Sequence, residues 1–317
     1  MNILQSELLF DSCLENEKIF VRIAQPADRS AIRGVVQIAH GMAEHSLLYS
    51  EFMKCLAQNG YVAAANDHLG HGQSVAANGD YGYFGEGGCQ NLVRDMHELY
   101  GFLRKEYPDV PYFLLGHSMG SFLARSYTAQ FGSELDGVIY IGTCGSDGKA
   151  VYAAEKLLAR VLTKRKGAKG HDLLFAKLST QKFNRAFDPA RTPNDWVSRD
   201  VEQVDIYTND PLCGFDLTVS AYRDIILLQE EINSDQWFES VPDLPILILS
   251  GDQDPVGNFG KGIRQVEEKL KKTGHRVRAI LYPQARHAIL TEINKDEVYK
   301  DILDYLEPLC VERKAAV

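Results

Sequence analysis

Val110-Pro111-Tyr112-Phe113-Leu114-Leu115-Gly116-His117-Ser118-Met119-Gly120 is a short apolar run closed by the pattern G-x-S-x-G. The run has the length of a buried strand, and residues 122–131 follow it with helical spacing. A serine in a sharp strand-to-helix turn is lifted to the carboxyl end of a sheet, where open α/β sheets place their ligands. The flanking glycines keep Cβ atoms out of the tight backbone. Ser118 is therefore the candidate nucleophile. The competing reading is a glycine-rich turn holding an ordinary helix-capping serine.

On either side the chain alternates. Residues 8–14 and 19–24 predict an antiparallel hairpin about the polar Glu15-Asn16-Glu17. Further strands are predicted over 34–39, 60–65, 110–115, 137–141, 245–249 and 277–282, with helices over 50–58, 91–105, 122–131 and 296–306. This implies an α/β fold, a mostly parallel eight-stranded sheet with helices on both faces. The rhythm breaks over 145–232, where helices are predicted over 151–162, 194–205 and 219–231 and no buried strand is found. The expectation is a core domain of 1–144 and 233–317 and a helical cap of 145–232. In the first cap helix, Val151, Ala154, Leu157, Leu158 and Val161 lie opposite Lys156, Arg160 and Lys164. That apolar face is expected to pack on the core, with part of it walling an apolar tunnel to Ser118.

With 317 residues and 45% hydrophobic content, the chain can bury a large core. A net charge of −9 disfavours nucleic acid as a partner. No stretch is apolar enough to span a bilayer, and the N-terminus lacks the basic start of a secretory signal. Six scattered cysteines with no CxxC pair point to a reducing, cytoplasmic compartment.

A serine hydroxyl needs a base. The partners of such a nucleophile follow in the order Ser, Asp/Glu, His, each at the carboxyl edge of a late strand. His275 precedes the 277–282 strand and lies at the wrong edge; His287 follows it and is the choice. The orienting acid is Asp252 or Asp254, both in Gly251-Asp252-Gln253-Asp254-Pro255. An oxyanion hole needs two backbone N–H groups, one from Met119 after the nucleophile and one from the loop His40-Gly41-Met42-Ala43, with Met42 as donor. His40, Glu44 and His45 approach metal-ligand spacing without matching H-E-x-x-H, and His68 and His71 sit in a glycine-rich turn. Gly257 to Gly262 is not G-x-G-x-x-G, so no dinucleotide site is implied.

His40 to Ser46, Asp67 to Ser74, Gly116 to Gly120, Gly251 to Val256 and Arg286-His287 resemble the monoacylglycerol lipase and lysophospholipase branch of the α/β hydrolases. Asp195 to Asp200 and Tyr207 to Leu212 are similar to the cap of that branch. The resemblance implies an α/β-hydrolase fold and a serine esterase acting on small-molecule acyl esters. It implies Asp254 as the third triad member, Met42 and Met119 as oxyanion donors, and no cofactor. The cap would line an acyl tunnel and could touch a membrane surface transiently. Two positions depart from the animal monoacylglycerol lipases: Leu48 stands where an Arg is usual, and Leu290 where a second His is usual. Both remove polar groups from the alcohol side. The rivals are a small-acyl carboxylesterase, an S33-type aminopeptidase, and a non-catalytic ligand-binding relative.

Overall fold

The computed structural model describes residues 2–75, 79–172, 174–175 and 181–316. Eight strands form one sheet: β1 (Ile3–Asp11), β2 (Lys18–Pro26), β3 (Gly34–Ala39), β4 (Tyr61–Asn66), β5 (Tyr112–His117), β6 (Gly137–Ile141), β7 (Ile246–Gly251) and β8 (Val277–Tyr282). Their spatial order is β1-β2-β4-β3-β5-β6-β7-β8. The pairs β1/β2 and β2/β4 are antiparallel, and the rest are parallel. Strands β3 to β7 are buried along their whole length. Helices cover both faces of such a sheet, so these strands read as unbroken apolar runs rather than alternating ones.

The helices of six or more described residues are α1 (Ser50–Gln58), α2 (Cys89–Glu106), α3 (Met119–Phe131), α4 (Lys149–Lys166), α5 (Val201–Asn209), α6 (Val219–Ile232), α7 (Asp235–Ser240), α8 (Lys261–Lys272) and α9 (Lys295–Ala316). One face of the sheet packs on α2, α3 and α8 through residues such as Leu92, Met96, Leu123 and Val266. The other packs on α1 and α9 through Phe52, Leu56, Val298 and Ile302. Between β6 and β7 the described residues contain helices and no strand. Residues 173 and 176–180 of that insertion lie outside the described residues.

Four expectations shift. Strand β1 occupies Ile3–Asp11 rather than 8–14, because the Asp95 carboxylate accepts from the Ser12 hydroxyl and from the Cys13 N–H at 2.7 Å, drawing both residues out of the ladder. The helix predicted over 194–205 starts at Val201, where Asp200 caps it by accepting from the N–H groups of Glu202 and Gln203. Helix α8 is an addition to the sequence pattern: Gly260 before it and Gly262 in its first turn obscure the buried stripe of Ile263, Val266 and Leu270.

The fourth shift concerns α4. Its buried residues are Tyr152, Ala159 and Leu162, packed toward α6. Val151, Leu157 and Val161 are exposed, Leu157 by 64%. Of the apolar face expected to pack on the core, Leu158 is the member that is packed against it. Lys156, on the side expected to be polar, pairs with Glu230 of α6.

Candidate active site

Ser118 sits between β5 and α3 with φ 55° and ψ −123°, a backbone conformation that non-glycine residues rarely adopt. The glycines around it are required by contact. A Cβ on Gly120 would lie 2.0 Å from the Ala39 carbonyl oxygen, and one on Gly116 would lie 2.2 Å from that of Gly120. The N–H of Ser118 donates to Ile141 O at 2.9 Å, pinning the turn to the end of β6. The turn thus sets the Ser118 side chain at the carboxyl edge of the sheet.

His287 follows β8 and Asp254 follows β7. His287 Nδ1 lies 3.0 Å from Asp254 Oδ1, and both residues are buried. Asp254 also accepts from Val256 N at 2.9 Å and Ser250 Oγ at 3.1 Å. Burial opposes ionisation of Asp254, but His287 and these donors outweigh it and hold the carboxyl below its ordinary value. With Nδ1 donating to Asp254, Nε2 is the free face of the ring. It is buried and has no partner among the described residues. Ser118 and His287 line the same cavity of about 60 Å³. The His287 ring packs between Trp196 and His117, with centroids 5.0 and 4.8 Å away. Asp252 faces elsewhere: its Oδ1 accepts from Gln284 N at 2.7 Å and shapes the turn after β8. His275 is held by Val241 O, away from this cluster.

The loop after β3 lies against Ser118, so close that a Cβ on Gly41 would come 3.1 Å from the Ser118 Cβ. Its path is fixed by hydrogen bonds from all sides. His40 Nδ1 donates to Gly41 O at 2.7 Å while its Nε2 accepts from His68 N at 2.9 Å. Gly41 N donates to Glu44, and the Ala43 carbonyl accepts from Gly214 N and the Tyr207 hydroxyl in the insertion. Met42 and Met119 line a cavity together with Ser118. The Met119 N–H belongs to the first turn of α3, where amides lack helical partners. The Met42 N–H has no hydrogen-bond partner among the described residues. His40 and His68 are neutral structural members, since burial drives both below their ordinary values; burial takes His71 to about 3. Asp67 is likewise structural, accepting from Ser46 N and Gln73 N.

Two networks escaped the sequence reading. Beneath Ser118, Glu44 accepts from Tyr49 Oη at 2.5 Å and from Gly41 N, and His117 Nδ1 lies 2.8 Å from the Tyr49 oxygen. Burial would raise Glu44, but contact with His117 prevails and takes it down to about 2. No local pattern marks this trio, because Glu44 and Tyr49 follow β3 while His117 ends β5, 68 positions beyond Tyr49.

The second network ties the histidine loop to the insertion. Fully buried Glu292 accepts from Arg286 N, Arg199 N and Arg199 Nε, the last at 2.9 Å. Ala288 N donates to Val197 O at 2.8 Å. Removing one partner of such a buried pair strands the other. Glu292→Ala should therefore lower stability by about 3–5 kcal/mol, read as a shift of the urea midpoint at constant slope. A loss below about 1 kcal/mol would show that these donors find other partners.

A strained serine turn after β5, an aspartate after β7, a histidine after β8 and an insertion between β6 and β7 define an α/β hydrolase, and the protein is a hydrolytic enzyme. The chain belongs to the family described as "Serine aminopeptidase, S33" (Hydrolase_4), whose profile matches residues 30–294. It is 26% identical over 292 residues to the monoglyceride lipase of Rattus norvegicus, covering 88% of this chain and 86% of that one. It is 26% identical over 278 residues to the monoacylglycerol lipase of Mycolicibacterium smegmatis, covering 86% and 88%. A thermostable carboxyl esterase from Bacillus coagulans, solved in complex with glycerol, superposes with TM-score 0.90 at 33% identity, covering 96% and 99%. The monoglyceride lipase of Saccharomyces cerevisiae shares the fold with TM-score 0.76 at 19% identity, covering 95% and 94%.

Proposed function

We propose that this enzyme hydrolyses acyl esters such as monoacylglycerols or lysophospholipids through Ser118, His287 and Asp254, with residues 145–232 acting as the cap. The observation that carries the reading is a cavity of about 510 Å³ that opens on Ser118 and Met119 and is walled by Phe122, Leu158, Phe175, Ile225, Ile226 and Phe259. An acyl chain fits such walls, and Ser118 is part of their lining. His287 Nε2 takes the Ser118 proton as the hydroxyl attacks the ester carbonyl, and Asp254 holds the tautomer and the imidazolium. The Met42 and Met119 amides stabilise the oxyanion. His287 then protonates the leaving alcohol and activates water against the acyl-enzyme.

An apolar cavity rewards each buried methylene with up to about 0.8 kcal/mol. Retained in the transition state, that is a few-fold in kcat/KM per carbon. Across p-nitrophenyl esters below their micelle concentrations, kcat/KM should climb from acetyl to a medium chain and then level. A steady fall from acetate upward would indicate a small-acyl esterase instead. A second reading, aminopeptidase action, draws on the family's description and on Asp147 and Glu155 in the cavity wall, which could meet a substrate amine. Faster cleavage of aminoacyl p-nitroanilides than of the esters would decide for it. No helix among the described residues is long and apolar enough to cross a membrane. The exposed Val151, Leu157 and Val161 on α4, with Lys164 and Lys166 at its end, support transient contact of the cap with a lipid surface.

A further inference from the structure

His45 belongs to the loop after β3, while Asp210 and Cys213 stand in the turn after α5, in the insertion. The fold brings one donor atom from each of the three within 4.8 Å of the others. His45 Nε2 lies 2.9 Å from Asp210 Oδ2. His45 is buried and Cys213 is half-buried. An ordinary ion pair accounts for His45 with Asp210, but it makes no use of the thiol. Imidazole, carboxylate and thiol together form a mixed nitrogen, oxygen and sulfur donor set.

The backbone fixes the aim of the two donors from the insertion. Asp210 Oδ1 accepts from Leu212 N at 2.8 Å, which leaves Oδ2 toward His45. Cys213 N donates to Asp210 O at 3.0 Å, closing the turn that carries both ligands. The next residue, Gly214, donates its N–H to Ala43 O at 2.9 Å and seats this turn on the loop of Met42. The local field is negative. Burial, and then the carboxylates of Glu44, Asp210 and Asp67, hold the Cys213 thiol above its ordinary value. A divalent cation inverts that balance: the thiol gives its proton to water and binds as thiolate.

We infer that His45, Asp210 and Cys213 form a site for a zinc-like divalent cation that clamps the insertion to the loop of Met42. Softness selects the ion. Thiolate and imidazole suit zinc, whereas magnesium and calcium take oxygen ligands. Zinc holds such donors at about 2.0–2.3 Å and leaves a fourth tetrahedral position to water. Closing the three donors onto one ion asks for side-chain shifts of about an ångström. The site shares no residue with Ser118, His287 and Asp254, and it does not rest on the ester-hydrolase reading.

Cobalt(II) reports such a site through a thiolate-to-metal charge-transfer band and tetrahedral d–d bands. With the intact chain freed of metal by a chelator, one equivalent of Co²⁺ should give both, and one of Zn²⁺ should bleach them. Zn²⁺ should also raise the urea midpoint, because an ion that binds the folded state alone stabilises it. Cys213→Ala should lose the charge-transfer band and the Zn²⁺-dependent shift. Asp210→Asn keeps an oxygen for Leu212 N and should weaken Co²⁺ binding by at least about tenfold. A parent protein with no charge-transfer band at millimolar Co²⁺ overturns the inference. A folded Cys213→Ala that keeps the band overturns it too, as does an Asp210→Asn that binds Co²⁺ as tightly as the parent. If Cys213→Ala does not fold, the nearly isosteric Asp210→Asn decides alone. None of these measurements involves ester turnover, so failure of this site and failure of the hydrolase reading are told apart.

Discussion

Ser118→Ala and His287→Ala should each lower kcat by on the order of 10⁶, and the double variant should be hardly worse than either. In the proposed mechanism the two side chains perform one step. Ser118 without His287 loses the base that Asp254 orients, the ring nitrogen whose other face is held at 3.0 Å from Asp254 Oδ1. His287 without Ser118 has a proton acceptor and no nucleophile to activate. His287 Nε2 has no hydrogen-bond partner among the described residues, and catalytic hydrogen bonds often tighten only in the complex with substrate. The residual activity of both singles and the double should converge on what the Met42 and Met119 amides and substrate binding supply. Turnover of a medium-chain p-nitrophenyl ester by the three variants, each checked for an unchanged urea midpoint, measures this. Losses that multiply in the double variant would show that the two residues act independently.

Asp254→Asn should cost about 10⁴ in kcat, whereas Asp252→Asn should stay within about tenfold of the parent. The asparagine amide at 254 can donate to His287 Nδ1. That selects the tautomer with the proton on Nε2, which cannot receive the Ser118 proton. The substitution also leaves the imidazolium without its facing negative charge. At 252 the change is mild, since an asparagine oxygen can still accept from Gln284 N as the carboxylate does. The two variants are nearly isosteric with the parent, so their kcat values compare chemistry rather than packing. A dead Asp252→Asn beside an active Asp254→Asn would reverse the assignment.

What residues 110–120 determine by themselves is the turn. Strand length, helical spacing and the two glycines are local properties, and the positive φ of Ser118 follows from backbone that no Cβ may approach. The parallel sheet is legible for a similar reason: strands covered on both faces must be apolar throughout, and that pattern is written in each strand separately. The placement of His287 rather than His275 also follows from position along one strand. Tertiary structure decided the rest, because the deciding partners are far apart in the chain. Asp252 and Asp254 lie in the same loop, and only the fold sends one to Gln284 N and the other to His287 Nδ1. The hydrophobic stripe of α4 names one face, yet packing toward α6 buries another, that of Tyr152, Ala159 and Leu162. Glu44, Tyr49 and His117 form one network because β3 and β5 are neighbours, an adjacency that neither strand encodes alone. Glu292 and Arg199, 93 positions apart, join the histidine loop to the insertion through burial, where an unpaired charge is too costly to leave.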